Sequence, residues 1–73
     1  IHMYHMYILA YDIPASLPYF KLQINRKLRR IGATLIQRSL WKHQSLEELT
    51  RIAISIKNVG GKARIMEEKL IFE

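Results

Sequence analysis

The chain has 73 residues, 49% of them apolar, and carries twelve Lys and Arg against six Asp and Glu, for a net charge of +6 and no cysteine. So short a chain holds one domain and buries only about 60% of the surface its unfolded form exposes. No apolar run reaches the ~20 residues of a bilayer crossing, and the lack of cysteine excludes a disulfide framework and a thiolate zinc site, in keeping with a reducing, cytoplasmic setting.

The positive charge favours polyanionic partners, nucleic acid first among them; a solvated surface kept soluble by like charge is the plain alternative. Stability that disulfides do not supply is expected from pairing with a second copy. At the start, His2-Met3-Tyr4 and His5-Met6-Tyr7 nearly repeat. Residues 1–5 read as a cloning-derived or disordered start, with the native start at Met3 or Met6 and a single domain over 6–73. No basic segment followed by a small-residue cleavage site is present, so secretion is not expected.

Met6 to Ile13 alternates Tyr7, Leu9 and Tyr11 with Met6, Ile8 and Ala10, apolar on both faces, as a central strand covered on both sides reads. Asp12, the only aspartate, closes that strand before Pro14. Two roles suit it: a metal ligand beside a phosphate, or a partner for backbone donors or a basic residue where the chain turns. Ser16 is a candidate N-cap and Pro18 suits a first helical turn.

The first helix is expected to run to about Ile31, with Leu17, Phe20, Ile24, Leu28 and Ile31 forming one apolar stripe. Lys21, Arg26, Lys27, Arg29 and Arg30 occupy the rest of its circumference, and Gly32 supplies a left-handed cap. Ala33 to His43 reads as a second strand, with Leu35, Gln37, Ser39 and Trp41 on one face. A bend or bulge near Ser39 would split it and bring both Leu40 and Trp41 to apolar surroundings. Ser45 and Glu48 fit a capping box opening a helix through Leu49, Ile52, Ala53, Ile56 and Val59, which Gly60-Gly61 stops. Lys62 to Met66 follows as a strand, Glu67-Glu68-Lys69 as a turn, and Leu70-Ile71-Phe72 as a short terminal strand.

This order predicts an α+β sandwich of the ferredoxin-like, βαββαβ type. Two helices cover one face of such a sheet, yet the first strand is apolar on both. The second face is therefore expected to lie against another copy, in a sheet-to-sheet homodimer.

Three segments carry a resemblance: Met6-Tyr7-Ile8-Leu9-Ala10-Tyr11-Asp12-Ile13, Leu28-Arg29-Arg30-Ile31-Gly32, and Gln37-Arg38-Ser39-Leu40-Trp41. In this order they resemble the small CRISPR-associated protein that partners the integrase in spacer acquisition. The resemblance implies a ferredoxin-like homodimer that binds DNA or RNA, acting as a Mg2+-dependent endonuclease or as a non-catalytic bridge holding DNA for the CRISPR integrase. It casts Asp12 as catalytic residue and metal ligand beside its symmetry mate, and Gln37 and Ser39 as the paired polar positions of the second strand. Trp41 stands where Phe is usual in that family, and the C-terminal segment is shortened to Leu70-Ile71-Phe72-Glu73. A related dimerisation domain of transcriptional repressors and a toxin-type ribonuclease of the same fold are the further alternatives.

The residues also admit plainer roles. Ser39 and Gln37 suit local hydrogen bonds at a bend, and Trp41 suits the core or a dimer contact as well as base stacking. His43, alone at a strand end, reads as a solvent-exposed side chain or a general base. Lys21, Arg26, Lys27, Arg29 and Arg30, with Arg38, are the expected nucleic-acid contacts; meeting phosphates, they would carry no sequence information.

Overall fold

A computed structural model describes residues 5–69, 71 and 72 of the chain. Six elements follow in order: β1 (Tyr7–Asp12), α1 (Pro18–Arg30), β2 (Thr34–Gln37), β3 (Leu40–His43), α2 (Leu46–Asn58) and β4 (Lys62–Glu67). The strands form one antiparallel sheet in the order β2-β3-β1-β4, with both helices on one side. This small α+β architecture is compatible with the expected ferredoxin-like arrangement. Among the described residues no helix is long and apolar enough to cross a membrane.

Period-two alternation makes β1 the spine. It pairs with β3 through Leu9↔Trp41 and with β4 through Leu9↔Ile65, so Tyr7, Leu9 and Tyr11 face the helices. The helices meet them with Ile24 and Leu28 of α1 and Leu49, Ile52, Ala53 and Ile56 of α2. Leu9, Ile24, Leu28, Leu49 and Ile56 are fully buried, each contributing roughly 1.5–3 kcal/mol relative to exposure. Leu17, Phe20 and Ile31 of the α1 stripe pack at its margin.

The helix ends follow from local chemistry. Pro18 takes the first turn of α1, where its missing N–H costs nothing. The residue preceding that turn is Leu17, which makes no side-chain cap, so Ser16 does not act as the N-cap. Gly32 and Gly60 carry positive φ angles of 84° and 87° after the two helices, the conformation that lets the last carbonyls find donors. The capping box of α2 is half formed. Ser45 Oγ accepts from the Glu48 N–H at 3.1 Å, but the Ser45 N–H donates to His43 Nδ1 at 2.9 Å, and Glu48 turns to Arg51. Val59 caps the helix at the surface and does not enter the core.

The stretch from Ala33 to His43 folds as two strands joined by Arg38-Ser39. Ser39 holds φ 60°, the left-handed region that a non-glycine residue enters at a cost. A register shift lies between Leu35 and Gln37: Leu35 pairs with Trp41, whereas Gln37 pairs with Leu40. That shift turns Gln37 to the face opposite Leu35, so the expected shared face of Leu35, Gln37, Ser39 and Trp41 is broken.

The chain end differs from expectation. Glu67 completes β4, and Glu68 donates its N–H to Met6 carbonyl oxygen at 2.8 Å. Ile71 and Phe72 are 80% and 90% exposed and belong to no strand. Leu70, Glu73 and the His2-Met3-Tyr4 part of the repeated start lie outside the described residues. His5, by contrast, sits at the surface with Nδ1 2.9 Å from Glu67 Oε2.

Candidate nucleic-acid interface

The cations of α1 do not form a single track. With ~3.6 residues per turn, Lys21, Asn25 and Arg29 make one row facing the β2–β3 hairpin, where they line a recess with Arg38 and Ser39 of the turn. Lys27 and Arg30 fall on the opposite flank, in a shallow groove against α2 that Glu48 and Arg51 share. Arg26 is exposed on the outer surface and lines neither recess. The two flanks differ electrostatically: the α2 side holds the ion pairs of Arg51 with Glu47 at 3.1 Å and with Glu48 at 3.3 Å, while among the described residues no carboxylate lines the hairpin side.

The acid-free character of that region extends along the chain. Residues 13–46 contain no Asp or Glu, and they hold Lys21, Arg26, Lys27, Arg29, Arg30, Arg38 and Lys42. Such segregation focuses positive potential over α1 and the hairpin.

The floor of the recess, about 360 Å³ in volume, is aromatic and polar together. Tyr11 is 8% exposed, and its hydroxyl donates to Asn25 Oδ1 at 2.5 Å. With Oδ1 engaged, the Asn25 protons available to a further partner are those on Nδ2. Burial pushes the Tyr11 phenol up from its ordinary value, and the Trp41 and Ser39 side chains beside it pull it back in part. Trp41 is 2% exposed, and its Nε1–H is shielded from solvent beside the Tyr11 phenol, outside ideal hydrogen-bonding geometry. Tyr11 and Asn25 are not singled out as ligand contacts by their sequence context, whereas Trp41 is read as core, dimer contact or base-stacking residue. The spacing of Asn25 midway between Lys21 and Arg29, four residues from each, is the signal that joins it to the cations.

Asp12 ends β1 on the other face of the sheet. It is exposed, stands opposite Lys62 in the ladder, and borders a depression of about 520 Å³ lined also by Lys57, Arg64 and Met66. Neither plain role holds, since it caps no helix and joins no ion pair among the described residues. Gly61 explains the tight closure beneath it: a Cβ there would come within 2.8 Å of the Asp12 carbonyl oxygen. A Mg2+ ion takes several hard oxygen ligands. One protomer offers a single carboxylate amid cations, and no cluster of three His, Cys, Asp or Glu occurs among the described residues. That donor set does not fit Mg2+ by itself.

The face away from the helices carries Ile8, Ala10, Leu40 and Met66 at its centre, with Asp12, Gln37, Lys42, Lys62 and Arg64 around them. It is less uniformly apolar than the reading of β1 implied, because its neighbours in the ladder are basic. Lys42 reaches Glu68 at 3.5 Å. Gln37 lies on this face and Ser39 lines the recess, so the structure separates the two polar positions that the resemblance paired. His43 is neither free nor poised as a base. Its Nδ1 accepts from the Ser45 N–H, which leaves Nε2 as the protonated nitrogen donating to the Ile31 carbonyl at 2.7 Å. The imidazole thereby ties the end of α1 to the start of α2. Compared with known proteins, the chain matches no family model and no curated relative.

Proposed function

We propose that this protein binds nucleic acid through its phosphate backbone, using α1 and the β2–β3 turn as the contact surface. One observation carries the reading: Lys21 and Arg29 from the helix and Arg38 from the turn converge on a recess that no carboxylate lines among the described residues. Phosphate oxygens accept from Lys and Arg at such surfaces, and the released counterions make affinity fall steeply with salt.

In this reading the molecule acts in the manner its segments resemble, as a ferredoxin-like homodimer of the CRISPR spacer-acquisition type. The occupant of the open sheet face is a second copy. Across a twofold axis, Ile8, Ala10, Leu40 and Met66 meet their own counterparts, and Asp12 of one copy neutralises Lys62 or Arg64 of the other. Holding duplex DNA for a partner integrase needs nothing beyond this. The endonuclease reading is favoured by Asp12, an exposed carboxylate that joins no ion pair among the described residues; because one protomer's donors do not fit Mg2+, it would need Asp12 of a second copy as a further ligand.

Two measurements test these proposals. Binding of duplex DNA and structured RNA is followed across a salt series for wild type and the Lys21→Ala, Arg29→Ala, Arg38→Ala triple variant. Each lost phosphate contact lowers the magnitude of the salt slope by about 0.9 on duplex DNA, so three contacts lower it by up to about 2.7; an unchanged slope rules the surface out. Asp12→Asn is then compared with wild type on both substrates, with Mg2+ and with chelator. Cleavage that survives substitution and chelation excludes the metal mechanism, and binding without cleavage by wild type leaves the scaffold. Light scattering reports the dimer independently.

A further inference from the structure

We propose that the recess between α1 and the β2–β3 turn is a seat for one phosphate group, occupied by the terminal phosphomonoester of a nucleic-acid strand. The proposal rests on the nucleic-acid reading above and assigns a specific ligand group to part of that surface.

The lining is a set of donors arranged around one space. Lys21 and Arg29 sit one helical turn either side of Asn25, and Arg38 closes the opposite rim from the turn. Asn25 presents Nδ2, because Oδ1 is held by Tyr11, and Ser39 adds a hydroxyl. At the back stands the buried Trp41 ring, beside the Tyr11 phenol. Lysine and arginine heads and a neutral amide and hydroxyl share a single property: each gives a proton to an acceptor, and among the described residues no acidic side chain lines the recess.

Charge selects the kind of phosphate. A diester in mid-strand carries one negative charge, whereas a terminal monoester carries between about 1.5 and 2 at neutral pH. Three cations about one recess match the larger charge, and charge-assisted bonds to a dianion are the stronger for it. A hollow of about 360 Å³ backed by Trp41 is large enough to admit such an end group. The left-handed Ser39 fixes the turn so that Arg38 and the Ser39 hydroxyl border the same space, an energetic cost of the kind found at ligand clamps.

The single tryptophan of the chain is the probe. The indole proton–nitrogen NMR signal of Trp41 is followed in the full-length protein during titration with inorganic phosphate, and with one short oligonucleotide bearing a 5′ phosphate, a 3′ phosphate or hydroxyl ends. The seat requires a saturable shift with inorganic phosphate and about tenfold tighter binding of one phosphorylated strand than of the hydroxyl-ended strand, a ratio equal to about 1.4 kcal/mol. The preferred end identifies the source of the phosphate. Arg29→Gln and Arg38→Gln, both at exposed positions, are expected to abolish the advantage, and Arg26→Gln on the outer surface to keep it. An unmoved indole signal, equal binding of all three strands, or an Arg26→Gln loss as large as that of Arg38→Gln overturns the seat. Equal, salt-sensitive binding of all strands removes the seat and leaves the general nucleic-acid reading standing, whereas failure of every strand to bind removes both.

Discussion

Replacing Tyr11 by Phe probes the packing of the recess through the alkaline limb of stability. The substitution keeps a ring that is 8% exposed and deletes the hydroxyl that donates to Asn25 Oδ1 at 2.5 Å. A typical hydrogen bond contributes about 0.5–1.5 kcal/mol net, and half-buried Asn25 can regain water through the recess. At neutral pH the variant is therefore expected to be about 1 kcal/mol less stable. Burial raises the Tyr11 phenol above its ordinary 10.0. The folded protein thus holds the neutral phenol to higher pH than the unfolded chain does. That contribution is whole below pH 10 and is lost as pH climbs through the folded value, since the unfolded chain releases its proton first. Each pH unit in which only the unfolded phenol ionises costs the wild type about 1.4 kcal/mol. The Phe variant has no such loss, and the other tyrosines and lysines are common to both proteins. The gap measured by urea unfolding should accordingly be widest near pH 7 and narrow once pH exceeds about 10. A gap that stays constant or widens would show that the Tyr11 hydroxyl is not shielded from water as described.

Gly61→Ala should destabilise the fold by about 1–3 kcal/mol, as overpacking typically does, because the added Cβ would lie 2.6 Å from Ile56 Cγ2, 2.8 Å from the Asp12 carbonyl oxygen and 2.9 Å from that of Ile56. Two of those neighbours are backbone and yield poorly, so a variant that melts at the wild-type temperature would refute the close approach. His43→Ala removes the bonds to the Ile31 carbonyl and from the Ser45 N–H; at about 1 kcal/mol each, a loss near 2 kcal/mol is expected. Hydrogen exchange should show the Ser45 amide losing protection at the same time, and unchanged exchange would mean the imidazole is not its acceptor.

Much of the architecture was legible before the structure was in hand. The alternation of Tyr7, Leu9 and Tyr11 with Ile8 and Ala10 identified the central strand, and the Ile24–Leu28 spacing identified the buried stripe of α1. Ser45, Gly32 and Gly60 marked helix boundaries. These signals are local: side-chain period, caps and positive φ are properties of a few consecutive residues, whatever the rest of the chain does. Whether Ser16 or Leu17 preceded α1 was less legible, because a cap forms only if its oxygen reaches the turn's amides. Ile71 and Phe72 join no strand for a similar reason, apolar side chains being insufficient by themselves for pairing.

The site lay on the other side of that divide. Composition announced a basic protein, and residue numbers listed its cations, but strand order and register decided which cations meet. The shift between Leu35 and Gln37 sent Gln37 to one face and left Ser39 on the other. Packing of α1 across the hairpin separated Lys21 and Arg29 from Lys27 and Arg30, and brought Tyr11, Asn25 and Trp41 together from three elements. Sequence alone established that this chain builds a small cationic α+β domain; only the tertiary structure selected its donor-lined recess, because convergence of distant residues depends on how every element packs at once.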